Sequence, residues 1–222
     1  MAETLSLEDL TLDELRVWLA PVIPIHAAFD GWTDDALARA AEQEGADPEI
    51  AALAFPGGAT DMIAAWFAHV DTAMTERLES AEFDAQPVHK KIRAAVLERI
   101  AIVRPNKEAV RRALAILAMP QNAPLTAKLN WRSADAMWRL AGDTATDFNH
   151  YSKRAILTGV YASAILAWLD DESEGEAETV AFLDRRLKNV ADFEKLKSKF
   201  TGDPDRRFSV SRFLGRLRYP GR

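Results

Sequence analysis

The sequence contains no cysteine, few glycines and no long uncharged run, and each absence excludes a class of protein or site. Without cysteine among its 222 residues, the chain forms no disulfide, thiolate metal site or cysteine nucleophile, which suits a reducing compartment. Its first ten residues are acidic and lack the pattern of a signal or transit peptide. Residues 155–169 form the longest uncharged stretch without proline, and its 15 residues are fewer than the ~20 of a spanning helix. We expect a soluble intracellular protein.

The histidines and carboxylates form no recognisable catalytic or metal-binding motif. The four histidines are separated in the sequence, and no HExxH or HxH pair occurs. The sequence also lacks a GxSxG nucleophile motif and a glycine-rich phosphate loop. We therefore predict no catalytic residue, no metal and no cofactor, and we expect that the protein is not an enzyme.

Charge is distributed unevenly along the chain. Residues 1–70 carry 13 acidic and two basic side chains, whereas residues 185–222 carry 12 basic and four acidic ones. Blocks of one sign favour partners of the opposite sign, although solvated helix faces that keep the protein soluble are an equal alternative at the acidic end.

Apolar residues recur at spacings of three and four throughout the chain, which predicts an all-α protein of about nine helices plus a C-terminal tail. Glycine and proline fall mostly between these periodic segments. The first helix is expected to carry Leu15, Trp18 and Leu19 on one face and to end at Pro21 and Pro24. Thr33 is expected to cap the second helix. The nine predicted segments cover residues 11–19, 33–45, 47–54, 60–78, 88–103, 107–117, 124–140, 148–169 and 179–200.

The three short N-terminal helices have a helix-turn-helix layout, with Gly45 in the turn between the second and third. At the start of an all-helical chain of about this length, the layout is similar to TetR-type regulators. However, residues 47–54 contain no Lys, Arg, Asn or Gln to contact base edges, and the surrounding charge repels phosphates. We therefore expect no nucleic-acid binding, and a ligand-responsive transcription regulator remains the alternative function.

Residues 137–155 form the first segment that suggests a site. Thr146 or Asp147 can cap a helix on which Tyr151 and Arg154 lie three positions apart and share a face. The alternative interpretation is an ordinary helical hairpin with a turn at Gly142 and Asp143.

The C-terminal tail is the second such segment. Val210, Phe213, Leu214 and Leu217 follow helical spacing, and residues 206–222 contain six arginines and no acid. A basic amphipathic helix of this kind suits the interface of an anionic membrane. The alternative is a helix that docks on the body of the protein or on a second subunit. The predicted membrane-binding residues are Arg207, Phe208, Val210, Arg212, Phe213, Leu214, Arg216 and Leu217.

Several motifs give the chain a family resemblance. They are residues 55–59 (FPGGA), 141–143 (AGD), 146–149 (TDFN) with Tyr151 and residues 153–155 (KRA), and 181–186 (AFLDRR). The sequence resembles the Coq-nine family of ubiquinone (coenzyme Q) biosynthesis proteins over most of residues 10–200. This resemblance implies a fold similar to TetR regulators, a lipid-binding homodimer without enzymatic activity, and an amphipathic C-terminal helix that touches the membrane.

The resemblance also implies a partner, the di-iron hydroxylase that acts on demethoxyubiquinone, and peripheral association with the inner membrane. The location would be cytoplasmic, or the mitochondrial matrix for a processed eukaryotic chain. Where relatives often carry Trp, this sequence has His150. By position, the partner-binding residues are Met137, Leu140, Asp147, His150, Tyr151 and Arg154.

The expected ligand is an isoprenoid quinone or another lipid, but no motif marks its cavity. Apolar helix faces supply the candidate lipid-binding residues, with ordinary core packing as the alternative: Trp66, Val70, Leu114, Leu117, Ile156 and Val160. We expect three regions, namely a helix-turn-helix-like bundle (1–58), a lipid-binding and dimerisation domain (59–203) and a membrane-binding tail (204–222).

Overall fold

The computed structural model describes residues 10–144 and 148–200, and these residues form α-helices and short connections without a strand. The predicted all-α class is confirmed. The helices α1 to α11 are Leu12–Leu19, Ile23–Asp30, Asp34–Glu44, Pro48–Ala54, Ala59–Leu78, Ala81–Asp84, Val88–Val103, Lys107–Leu117, Ala123–Leu140, Phe148–Leu169 and Ala177–Phe200.

Two helices, α2 and α6, were not predicted. Pro24 does not end the first helix but lies in the first turn of α2, where a missing N–H costs nothing because that group has no intrahelical acceptor. Leu15 and Leu19 of α1 are buried, whereas Trp18 is half exposed and its indole Nε1 donates to Glu44 Oε2 at 3.2 Å. The other predicted segments agree with the described helices to within two residues.

Side-chain caps explain why the short N-terminal helices form. Thr11 and Glu14 make a reciprocal capping box at the start of α1, and Thr33 accepts from the Ala36 N–H at the start of α3. Gly45 ends α3 in the left-handed conformation with φ of 76°, and Asp47 then caps α4 ahead of Pro48. Helices α3 and α4 therefore form the predicted helix-turn-helix unit.

The turn at residues 55–58 sets the angle between α4 and α5, which are bent by 81°. The Gly57 N–H donates to Asp61 Oδ2 at 2.8 Å, and a Cβ at position 57 would lie 2.7 Å from the Asp61 carboxyl carbon. Arg16 of α1 donates to the Ala54 carbonyl and contacts Asp61, so this turn also fixes α1. The close approach of the Asp61 carboxylate explains why Gly57, the first glycine of the FPGGA motif, has no side chain.

One apolar core extends from α1 to α11 and includes residues from Leu15 to Leu183. Helices α9 and α10 form an antiparallel hairpin, and α11 packs along α7 and α10. Asp171 connects α10 to α11, because its carboxylate accepts from the backbone N–H groups of Ser173 and Thr179, both at 2.8 Å. The hairpin and α11 thus enclose one side of the core.

Within the described residues, no single helix has the length and apolar character needed to cross a bilayer. Helices α4 and α5 meet the criteria only when taken together, as a bent pair.

Candidate functional site

Three aromatic residues meet on the outer face of the α9–α10 hairpin. The Trp131 ring of α9 lies 6.3 Å from the His150 ring and 5.9 Å from the Tyr151 ring, between centroids. His150 and Tyr151 contact each other edge to face at 5.1 Å. Tyr151 is 61% exposed, so this group, which we call the hairpin aromatic cluster, presents an amphipathic ring to solvent.

A buried ionic network holds the two helices of the hairpin together. Arg154 donates from Nε to Asp135 Oδ1 at 2.5 Å and from Nη1 to Asp143 Oδ2 at 3.0 Å. Lys153 Nζ donates to the other Asp143 oxygen at 2.7 Å. Because the Arg154 and Asp143 side chains are almost fully buried, the removal of either charge would leave the other with one counterion instead of two.

The network also sets the protonation state of Asp143. Burial acts to raise the pKa of Asp143, but the hydrogen bonds from Lys153 and Arg154 outweigh it and lower that pKa below its ordinary value. Asp143 is therefore an anion at neutral pH and accepts both cations.

The structure separates the predicted partner-binding residues into an outer and an inner group. His150 and Tyr151 belong to the hairpin aromatic cluster, and Leu140 is half-buried in the last turn of α9. Met137 and Arg154 are buried, so the prediction that they contact a partner directly does not fit their positions. Arg154 shares no exposed face with Tyr151, because its guanidinium turns inward to two carboxylates. Asp147 lies outside the described residues.

Trp131, Trp138 and Lys153 were not among the predicted site residues. The Trp138 indole Nε1 donates to the Lys153 carbonyl at 3.1 Å, and the Lys153 ammonium lies 5.2 Å from the centre of a Trp138 ring. Lys153 belongs to the KRA motif and Trp138 follows Met137, so both lie within the segment that the sequence marked as a candidate site. Nothing in the sequence indicated that they pair across the hairpin.

A cavity of about 450 Å³ lies beside the hairpin, between α7, α9, α10 and α11. We call it the hairpin cavity. Two predicted lipid-binding residues, Ile156 and Val160, line it. Trp138 and Lys153 belong both to its wall and to the hairpin network. The other lining residues are Val88, His89, Ile92, Ser152, Leu157, Leu187, Val190 and Ala191.

A second cavity of about 250 Å³ lies between α5, α7, α8, α9 and α10. We call it the inner cavity. The predicted residues Leu114 and Leu117 line it, together with Phe67, Arg99, Val103, Val110, Ala118, Thr126, Asn130, Tyr161, Ala162, Ile165 and Leu166. Trp66 and Val70 were predicted for the lipid site but line neither cavity. They are core residues, and Trp66 packs 5.4 Å from Trp32 between ring centroids.

The α3–α4 unit has an apolar and acidic outer surface. Ile50 and Leu53 of α4 are exposed, and the first turn of this helix carries Glu49. The two basic residues among residues 10–70 pair with carboxylates, Arg16 of α1 with Asp61 and Arg39 of α3 with Asp30. Such a surface lacks the positive charge that phosphate contacts require.

Within the described residues, no group of three or more His, Asp or Glu side chains could hold a metal ion. The predicted membrane-binding residues Arg207, Phe208, Val210, Arg212, Phe213, Leu214, Arg216 and Leu217 lie outside the described residues.

Comparisons with known proteins give consistent matches. Residues 123–194, which include the hairpin, match the COQ9 family model. Ubiquinone biosynthesis protein COQ9, mitochondrial, of Rattus norvegicus is 31% identical over 72% of this chain and 53% of its own length. The proteins of the same name from Homo sapiens and Drosophila melanogaster are 30% and 27% identical, over 76% and 86% of this chain. The chain spans about half the length of the curated relatives it matches.

The fold also resembles a solved structure. The crystal structure of the TetR transcriptional regulator from Nitrosomonas europaea ATCC 19718 superposes with a TM-score of 0.64 and 21% sequence identity, over 81% of this chain and 99% of that one. At this level of identity the match shows a shared fold only.

Proposed function

Because the chain belongs to the COQ9 family, we propose that it is a non-enzymatic lipid-binding accessory protein of ubiquinone biosynthesis. In this proposal, it presents membrane-embedded quinone intermediates to the di-iron demethoxyubiquinone hydroxylase. It acts as a homodimer, peripherally attached to the membrane that holds these lipids.

One observation carries the proposal: the hairpin cavity and the hairpin aromatic cluster are parts of the same unit. Trp138 and Lys153 line the cavity, and the same residues tie α9 to the helix that bears Tyr151. A quinone whose isoprenoid tail occupied the apolar cavity would have its headgroup beside the surface that contacts the hydroxylase. Proximity of this kind removes the need for the enzyme to extract its substrate from the bilayer.

The hairpin aromatic cluster suits a protein partner. Exposed tyrosine and tryptophan rings bury a large area on binding and lose little side-chain entropy, which is why they are frequent at interface hot spots. The rigid ionic network beneath the cluster holds these rings in place before binding, which reduces the entropy lost on association.

The basic tail supplies the membrane contact in this proposal. Its apolar stripe and six arginines suit an anionic bilayer, to which each arginine contributes on the order of 1 kcal/mol. The tail would hold the protein at the surface from which the isoprenoid lipid enters the cavity.

Native mass spectrometry with lipid extraction tests the proposal. The full chain, purified from cells that make ubiquinone, should carry isoprenoid quinones. Ile156→Trp should fill the hairpin cavity and remove them, whereas Leu114→Trp, a matched substitution in the inner cavity, should retain them. A wild-type protein free of isoprenoid quinone, or equal loss in both variants, would contradict the assignment of this cavity.

A further inference from the structure

We propose that the inner cavity is a second binding site, which takes a long-chain fatty acid with its carboxylate directed inward toward Arg99. This site goes beyond the quinone-binding role proposed above, and it is defined by a buried positive charge in the wall of an apolar cavity.

The charge arises because two arginines share one carboxylate. Asp71 is nearly buried and accepts from Arg99 on one oxygen and from Arg132 Nε on the other, the latter at 3.0 Å. Arg132 is 40% exposed at its side chain, but Arg99 is only 1% exposed. Since one negative charge faces two positive ones, the cluster carries a net charge of +1.

Arg99 has hydrogen-bonding capacity that the described residues do not satisfy. Its Nε is buried and finds no acceptor within the part of the chain that the structure describes. The Arg99 side chain lines the inner cavity, and its guanidinium carbon lies 5.0 Å from the centre of the Tyr161 ring, which lines the cavity as well. A buried cation with an unused donor is costly unless an acceptor approaches it, so the site favours an anionic ligand group.

The other residues that line the inner cavity favour an apolar chain as the rest of the ligand. Apart from Arg99, Thr126, Asn130 and the Tyr161 hydroxyl, they are aliphatic or aromatic. The volume of about 250 Å³ exceeds the ~150 Å³ of an apolar protein cavity that holds one benzene molecule. This space suits the inner part of one alkyl chain and is too small for a phospholipid with two chains.

Part of the cavity wall is open to solvent. Leu166 of α10 is 59% exposed, and Ala118 at the end of α8 is exposed too, although both line the cavity. A fatty acid with its carboxylate near Arg99 would therefore extend its chain outward between α8 and α10. A neutral isoprenoid tail would satisfy the walls but leave the charge of Arg99 uncompensated.

Competition binding to the full chain tests this proposal. The probe is a palmitic acid labelled at its chain end with an anthroyloxy fluorophore, and the competitors are palmitate, methyl palmitate and 1-hexadecanol at pH 8. Palmitate should displace the probe at about tenfold lower concentration than either neutral analogue, because only its carboxylate can form a hydrogen-bonded ion pair with Arg99. Equal displacement by all three would overturn the proposal.

Three variants locate the site. Leu114→Trp should abolish probe binding, and Ile156→Trp should leave it unchanged; the reverse pattern would overturn the assignment to the inner cavity. Arg99→Met should remove the preference for palmitate over methyl palmitate, because Asp71 keeps Arg132 as its counterion. If Arg99→Met does not fold, the comparison of palmitate with its ester on the wild-type chain still decides the question. These results do not depend on whether a quinone is bound in the hairpin cavity.

Discussion

Arg154 Nη1 donates to Asp143 Oδ2 at 3.0 Å, which links the second turn of α10 to the loop that precedes it. The same guanidinium donates to Asp135 on α9, so one buried side chain connects both helices of the hairpin and the loop between them. The exposed face of α10, with Tyr151, is therefore held in place by charges that are themselves buried.

Substitution of Asp143 should destabilise the hairpin. Asp143→Asn removes one of the two carboxylates that pair with the buried Arg154, which we expect to cost about 2 kcal/mol of unfolding free energy because Asp135 remains. Asp170→Asn, at a side chain that is 84% exposed, is the matched control and should cost less than about 1 kcal/mol. Urea denaturation measures both, and equal small losses would show that the network contributes little.

The unfolding free energy should fall at acidic pH, because two carboxylates have lowered pKa values in the folded protein. Hydrogen bonds from Ser173 and Thr179 lower the pKa of Asp171, and those from Lys153 and Arg154 lower that of Asp143 against the opposing effect of burial. A folded-state pKa below the unfolded value of about 3.9 contributes stability that is complete above pH ~4 and is lost as pH falls further.

Denaturation midpoints between pH 7 and pH 2.5 check this dependence. The wild-type curve should decline below about pH 4 as the two carboxylates bind protons. The Asp143→Asn curve should decline less steeply over the same range, since one of the two groups no longer titrates. Parallel curves would argue against a contribution from Asp143.

Tyr151→Lys should weaken association with the demethoxyubiquinone hydroxylase and leave the fold intact. The side chain is 61% exposed but contacts the His150 and Trp131 rings, so the unfolding free energy should fall by about 1 kcal/mol or less. Loss of an aromatic hot spot costs about 2 kcal/mol or more of binding free energy, or roughly thirtyfold in Kd. Phe29→Lys, at an 81% exposed position on α2, is the control for surface aromatic loss. Calorimetric titration would contradict the prediction if both variants bind like the wild type.

Asp171→Ala should loosen the start of α11. This substitution removes the acceptor of the buried Thr179 N–H, and the lost cap and the unpaired donor together should cost about 2 kcal/mol. The neighbouring exposed residue serves as a control, because Glu172→Ala should be nearly neutral. Hydrogen exchange should show faster exchange at the beginning of α11 in Asp171→Ala alone; no change there would remove Asp171 from this role.

Deletion of residues 204–222 should weaken binding to anionic liposomes, most visibly at moderate salt, because six arginines are lost with the apolar stripe. A variant with Phe213→Ser and Leu217→Ser retains the charge and should lose the salt-resistant part of the binding. Sedimentation with liposomes measures both. Unchanged binding of the truncated chain would exclude the tail as the membrane contact.

Much of the fold follows from local signals in the sequence. Thr33, Gly45 and Asp47 bound helices at the predicted positions, because caps and left-handed glycines act within a few residues. The two missed helices show the limit of such signals. A proline can follow the end of a helix or lie in the first turn of the next one, so Pro24 by itself did not reveal α2. Helix α6 has only four residues, which is too short for a recognisable apolar period.

The candidate site depended more strongly on tertiary contacts. The sequence placed Tyr151 and Arg154 on one helix segment, but only the position of Asp135 and Asp143 turned Arg154 inward and left Tyr151 exposed. Apolar spacing marked Trp66, Leu114 and Ile156 as equivalent candidates. In the folded protein, Trp66 lies in the core, Leu114 lines the inner cavity and Ile156 lines the hairpin cavity.

The sequence by itself determined the helical class, the helix boundaries at capped ends, the charge asymmetry and the family motifs, since each of these is a property of neighbouring residues. Only the tertiary structure decided which apolar faces meet without filling the space between them, and which buried charge lacks a full counterion. Both depend on residues as distant as Asp71, Arg99 and Tyr161, and their spacing in the chain carries no information about their distance in space.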